Sequence, residues 1–327
     1  QAAPVQQVPA QMRARSQVLA ESPRVQIRTP SLQGSINLKG ARFDDLVLLK
    51  ERETIAKDSP PVRLLSPAGS PGAYFATFGW TGQGVQLPDA STQWTASAPV
   101  LEPGKPVTLS WTNSSGQTFA LTISVDPNYL FTVRQSVRNG GGAPVAVRPY
   151  GLINRADKSH DSSSWTMHVG PIAYLNGAAD YEIDWDNLDD RQSKHIDSKG
   201  GWLGFTDKYW LTALAPVGDP QIAASFTGTP AGGYQADFAE GQQVVAAGAT
   251  VQTDTRLFAG AKEKALLDQY EEAGIPKLSK SIDWGWFEWF MRPIFDLLNW
   301  LFKATGNFGV AIICLTVIVR LIMFPIA

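Results

Sequence analysis

The sequence predicts a mainly β protein: a large antiparallel sandwich followed by a short helix, an amphipathic helix and one helix of membrane-spanning length. Three observations predict it. From about residue 24 to residue 258, short runs of alternating apolar and polar residues are broken by Gly, Pro, Asn and Asp, with no sustained helical periodicity between them. Near Gly260 the composition shifts to good helix formers. The last forty-five residues are crowded with Trp, Phe, Leu and Ile, and end in an apolar run whose only ionisable group is Arg320.

Length and charge bound the reading. The 327 residues suffice for one large or two ordinary domains plus a membrane element. A formal net charge of −2 argues against nucleic acid as a partner, because phosphate recognition wants a basic surface. The 29 Gly, 22 Pro and 11 Trp suit a turn-rich β domain beside an aromatic membrane interface. The single cysteine, Cys314, lies inside the apolar run, so neither a disulfide framework nor a cysteine metal site is expected.

Residues 1–23 are polar and rich in Pro, Gln and Ala, without the apolar centre of a signal peptide, and read as a flexible linker. The chain starts without Met and stops at Pro325-Ile326-Ala327, where the apolar run would leave a bilayer; a piece of a longer membrane protein is expected.

Residues 24–258 form the predicted β domain. In Thr118–Val125, Phe119, Leu121, Ile123 and Val125 share one face. Asp126-Pro127-Asn128 signals a turn into Leu130–Val137, and Gly140-Gly141-Gly142 then predicts a hairpin loop, with a residue at positive φ, into Ala143–Tyr150. Similar alternation occupies Ser35–Leu49, Val107–Trp111, Trp202–Ala215 and Val244–Leu257. Many short strands with regular turn signals favour an antiparallel sandwich over a parallel α/β sheet.

Residues 259–282 hold a helix and a connector. Ala261–Ala273 is the helix, ended by Gly274 and Pro276, and its stripe of Leu266, Leu267 and Tyr270 should pack on the β domain. In residues 283–303, Glu288, Arg292, Asp296, Asn299 and Lys303 recur at spacings of four, four, three and four, one narrow polar stripe on an otherwise apolar and aromatic helix. Such a helix fits lying in the membrane interface, with Trp284, Trp286, Trp289 and Trp300 at headgroup level and Arg292 and Lys303 beside them. Pro293 should kink it or begin a second piece.

Residues 304–327 comprise a Thr305-Gly306-Asn307 corner and a transmembrane helix over Phe308–Ala327. Twenty residues rise about 30 Å, the thickness of a hydrocarbon core. Arg320 is the anomaly, since a charge near a span's centre costs about 2.5–3.5 kcal/mol on insertion scales. Thr316, Ile313 and Gly309 continue its face. Two readings compete: Arg320 and Thr316 line a wet groove between packed helices, or Arg320, about 18 Å along the span, snorkels to the far interface.

Other constellations have ordinary readings. The acidic run Asp180, Glu182, Asp184, Asp186, Asp189, Asp190 fails as a calcium loop beginning at Asp184, because Leu188 takes the fifth place, Asp189 the glycine's and His195 the closing glutamate's. It reads as a solvated loop. His160, His168 and His195 lack metal-ligand spacing. Asn113-Ser114-Ser115 matches a glycosylation sequon of a kind common by chance. No nucleophile elbow, phosphate loop or dinucleotide fingerprint is present, so neither a catalytic residue nor a cofactor is expected.

The C-terminal residues resemble the YidC-type membrane protein insertases of Gram-negative bacteria. Three features carry this: the aromatic opening Asp283–Trp286, the Gly-Asn-Phe-Gly corner at Gly306–Gly309, and Thr316 to Arg320 followed by a proline. The segment Gly201–Pro216 is similar to the family's periplasmic region. The resemblance implies that the β domain is a periplasmic, mutarotase-like β-supersandwich and that residues before about 303 are periplasmic. It implies an amphipathic interfacial helix and most of the second transmembrane helix of a multi-pass inner-membrane protein. It further implies that Arg320, with Thr316, faces a client groove. Nascent inner-membrane proteins, the lipid bilayer and the Sec translocon would be partners, with no cofactor and no nucleic acid. A membrane-anchored carbohydrate-binding or mutarotase-like periplasmic protein is the alternative, although fold does not carry function.

Overall fold

A computed structural model describes residues 3–4, 12–159, 161, 167–189, 193–229, 232–285 and 288–324. The chain divides into two compact units, residues 1–163 with 169–281, and residues 164–168 with 282–327. His160, Asp190 and Trp286, singled out from the sequence, lie outside the described residues.

The first unit is the β domain. Its described residues form an eleven-stranded and a nine-stranded sheet. Pairing is antiparallel apart from one short parallel match of Gln26 with Val100 and Ile27 with Leu101. Alternation works as predicted in Gln117–Val125, where every second residue is buried and Phe119, Leu121 and Ile123 are closed off completely. Rings from the two sheets meet edge to face across the interior. Phe43 and Phe131 lie 5.6 Å apart, Trp80 and Phe119 5.1 Å, and Phe205 and Phe226 6.5 Å. Each such pair adds about 0.5–1.5 kcal/mol beyond the apolar area it buries. The mainly β antiparallel fold read from the sequence is therefore the fold observed.

The glycine triplet behaves differently from the hairpin expected of it. Leu130–Asn139 belongs to the nine-stranded sheet and Val145–Arg155 to the eleven-stranded one, so Gly140–Gly142 carries the chain from one sheet to the other. None of the three glycines has a positive φ. The small size of Gly140 and Gly141 serves a close approach instead, whereas Gly142 has open space beside it. A Cβ at Gly140 would stand 2.6 Å from the Gly116 carbonyl oxygen, and one at Gly141 would stand 2.6 Å from Gln117 Nε2.

Two further boundaries shift. The Ser35–Leu49 run is two strands, Leu32–Asn37 and Arg42–Arg52, separated by a tight turn with Gly40 and Ala41 at φ of 77° and 49°. Helix α1, Arg15–Ala20, stands inside the expected flexible linker. It is fastened by the Arg13 amide donating to the Gly69 carbonyl at 2.8 Å, by an Arg15–Asp45 ion pair and by burial of Val18. The acidic run contains helix α2, Trp185–Asp189, whose Asp186 and Asp189 both pair with Lys158, while Asp180 pairs with Lys194.

Helix α3, Lys264–Glu272, starts later than expected because Ala261 still belongs to the Thr250–Ala261 strand. Its stripe packs on the β domain as predicted: Leu266, Leu267 and Tyr270 are buried, and the Tyr270 ring meets Phe258 at 5.8 Å. The Tyr270 hydroxyl donates to the Asp126 carboxylate and accepts from the Tyr129 amide at 3.3 Å. Gly274, at φ 99°, supplies the left-handed residue that ends the helix.

Candidate membrane-interface site

In the second unit, Asp283 stands next to the start of the stretch that begins at Ile282. Its carboxylate accepts from the Gly285 amide at 2.8 Å and from the His168 amide at 3.1 Å, so a short acidic side chain organises the turn that Gly285 completes at φ 65°. Trp284 is half-buried, its ring edge to face with Phe295 at 5.3 Å.

Helix α4, Glu288–Thr305, runs unbroken through Pro293, so the second piece expected there does not form. A proline at the sixth helical position removes only the donor that would serve the Trp289 carbonyl, one turn from the helix start. The described helix is amphipathic. Trp289 and Trp300 stand eleven positions apart, close to three full turns, on the flank beside the Arg292–Asp296–Asn299–Lys303 stripe. They are 76% and 63% exposed. Arg292 is half-buried and Lys303 exposed.

The corner follows from local chemistry. The Gly306 amide donates to the Phe302 carbonyl at 2.8 Å, and φ of 66° at Gly306 turns the chain out of α4. The Asn307 side chain accepts from the Val310 amide at 3.2 Å, capping helix α5, Phe308–Met323. Phe302 and Phe308 meet across the corner at 5.7 Å, and Leu301 and Ala311 are buried inside it.

Helix α5 presents two unlike faces. Ala311 is buried and Cys314, Leu315, Ile318 and Val319 are half-covered, whereas Ile312, Ile313, Thr316, Val317, Arg320 and Leu321 are exposed. Arg320 and Thr316 therefore share the open face, as their four-residue spacing predicts. The Thr316 hydroxyl donates to the Ile312 carbonyl of its own helix at 2.8 Å. The transmembrane helix expected within residues 304–327 is described as helix only over sixteen residues. Sixteen residues rise about 24 Å, short of a hydrocarbon core of about 30 Å. No helix among the described residues is long and apolar enough to cross a membrane. Phe324 still has helical angles and donates to the Arg320 carbonyl at 2.9 Å.

The remaining sequence candidates do not converge on a site. His168 and His195 occupy different units, the latter within 2.9 Å of Ser193 Oγ. The amide of Asn113 is engaged with the Gln86 carbonyl at 2.9 Å. Among the described residues, no group of three or more His, Cys, Asp or Glu is arranged to hold a metal.

Two features together define the class: a two-sheet antiparallel β domain, continued in sequence by an aromatic amphipathic helix capped into an apolar one. The family model of the YidC periplasmic domain matches residues 24–297, and the chain belongs to that family. A Zymomonas mobilis protein named membrane protein insertase YidC is 47% identical over 315 residues, covering 95% of this chain and 54% of that protein. Its namesake in Caulobacter vibrioides is 42% identical over 348 residues, covering 98% of this chain and 56% of that protein. The chain thus spans about half the length of the curated relatives it matches. Among solved structures, a galactose mutarotase related enzyme from Lactobacillus acidophilus is similar at 10% identity with a TM-score of 0.49, covering 72% of this chain and 97% of that one.

Proposed function

We propose that this chain is the periplasmic domain and the opening part of the insertase core of a bacterial inner-membrane insertase and chaperone, which works without catalysing a chemical reaction. The observation that carries the reading is the 47% identity to a named insertase along 95% of the chain, which takes in both units. The relatives compared are named as insertases, and the carbohydrate-binding reading has no comparable support.

In this reading α4 lies in the outer interface of the bilayer. Its exposed Trp289 and Trp300 sit at headgroup depth beside a charged stripe, which matches the preference of indole for that layer. Helix α5 enters the hydrocarbon. Its open face, with Arg320 and Thr316, forms one wall of a groove completed by further helices of the full-length protein. A charge retained in such a span favours that use over snorkelling.

The groove works by lowering a penalty. An unsatisfied polar group in lipid costs several kcal/mol, so a client's polar flank crosses more easily beside a cation and water than through acyl chains. The Arg320 guanidinium offers a planar fork of donors to a carboxylate. Clients would be small membrane proteins with acidic tails, alone or delivered beside the Sec translocon. The test is insertion of such a client by the full-length protein carrying Arg320→Glu. Insertion should fall at least about tenfold, and most for acidic tails, because like charges now meet in a medium of low dielectric. Insertion at the wild-type rate would remove the electrostatic step.

A further inference from the structure

One face of the eleven-stranded sheet buries polar side chains among apolar ones, although His195 at its margin is exposed. Register runs straight across five strands, with His195 opposite Ser225, Ser225 opposite Asp237, Asp237 opposite Leu152 and Leu152 opposite Thr77. On either side of that row, Tyr150 lies opposite Ala239, and Asn154 opposite both Gln235 and Phe75. Alternation along each strand sends all of these to one side, while Phe226, Ala236 and Phe238 point to the other. An outer face of this composition should be wet. Instead, Asn154, Leu152 and Gln235 are fully buried and Asp237 is 1% exposed.

Part of the cover is the chain's own N-terminal segment. Ala3 is 5% exposed and packs against Phe75, Tyr150, Leu152 and Ala239. The Pro4 carbonyl lies 3.4 Å from Gln235 Nε2, which also donates to Asp237 at 2.9 Å. The Ala3 amide donates toward the Asp237 carboxylate, alongside the Ser225 hydroxyl at 3.0 Å. Beside them, both polar atoms of the Asn154 amide are buried without a hydrogen-bond partner. A donor and an acceptor on one planar group match a peptide unit, and leaving both buried and unpaired is costly.

We propose that this face is a binding site for an extended, uncharged peptide segment with a small residue followed by proline, and that Ala3–Pro4 of the same chain fills it. The chemistry is selective on each count. The space between Tyr150 and Phe75 admits a methyl group, and a proline brings no second N–H to be buried unpaired. Asp237 and Gln235 read the backbone through one amide and one carbonyl. An incoming segment of the same kind must displace the N-terminal one, so the site is a competition between a tethered occupant and a free one.

The test uses the whole chain with Cys314→Ser, so that a single thiol can be placed at will. The Ala3→Cys variant should react with a maleimide at least about tenfold more slowly than the Met12→Cys variant, since protection follows the population of the open form. Met12 is 53% exposed and serves as the control. In a separate variant, Ala3→Arg, the segment no longer fits; a labelled peptide of sequence QAAPVQQ should then bind that variant, by fluorescence anisotropy, and not the wild type. Equal labelling at the two positions would overturn the proposal. So would peptide binding to both proteins or to neither.

Discussion

Arg320 and Thr316 occupy the same open face of α5, yet their hydrogen-bonding capacities differ. The threonine hydroxyl returns its proton to the Ile312 carbonyl, a local bond that keeps it from donating outward. The guanidinium makes no ion pair with any described residue and is exposed. The shared face was legible from spacing alone. The back-bonded hydroxyl and the contact of Trp284 with Phe295 were not, because both depend on side-chain rotamers. Asn307 bears directly on this helix. Its replacement by Ala should weaken the start of α5 by about 0.5–2 kcal/mol, seen as faster amide exchange at Val310 and Ala311 in micelles. Unchanged exchange would show that the corner is held by other contacts. Glu240 supplies a pH signature. Burial raises its pKa, a hydrogen bond from Thr253 opposes that, and the charge of Asp254 adds to it. The folded state then holds the proton more tightly than the unfolded state. Stability therefore falls as pH rises from the ordinary value of 4.5 through the raised one. A Glu240→Gln variant lacks this loss, so its stability relative to wild type should grow between about pH 4.5 and pH 7.5. Urea midpoints that move in parallel at the two pH values would contradict it.

Elements show where sequence patterns stop working. Strands with one wet face, such as Gln117–Val125, announce themselves by alternation. Tyr74–Gln83 and Tyr234–Glu240 do not. The first is buried at seven consecutive positions and the second along its whole length, because one face meets the other sheet and the other face is covered too. The glycine triplet misled for a related reason: turn residues mark a change of direction without saying which sheet receives the next strand. Helix α3 was legible throughout its apolar stripe, but the hydroxyl that docks it was not. Burial and the nearby Asp126 carboxylate push the Tyr270 phenol well above its ordinary range, so it remains a donor. Tyr270→Phe removes that bond and strands the buried Tyr129 amide. The expected cost is about 1–3 kcal/mol in urea unfolding at neutral pH. A loss near zero would mean that the ring contact with Phe258 holds the helix by itself.

At the scale of the molecule, the two units have different debts to solvent. The β unit closes its own core. The helical unit leaves Trp289, Trp300, Ile313, Leu321 and Phe324 in the open, which agrees with surfaces meant for lipid or for other helices. The division after residue 281 falls where the aromatic run from Asp283 begins in the sequence, well past the change to helix formers near Gly260. Strand order sets the last prediction. Thr250–Ala261 lies between Leu130–Asn139 and Trp210–Pro216 in the nine-stranded sheet. A chain ended at residue 249 should therefore expose two unpaired strand edges and lose its cooperative melt, judged by near-ultraviolet circular dichroism and gel filtration. A folded monomer from that truncation would refute the point.

That central strand also sets a timetable. A polypeptide emerges from its N-terminus, and the longest-range pairings in a sheet must wait for their last member. Here Arg134 meets Asp254 across 120 residues, in an ion pair of 2.8 Å. The smaller sheet stays split in two until residue 261 has appeared, and α4 begins at Glu288, shortly afterwards. The domain thus closes just ahead of the aromatic helices, after the Leu130–Asn139 edge has waited through the 120 residues that separate Arg134 from Asp254.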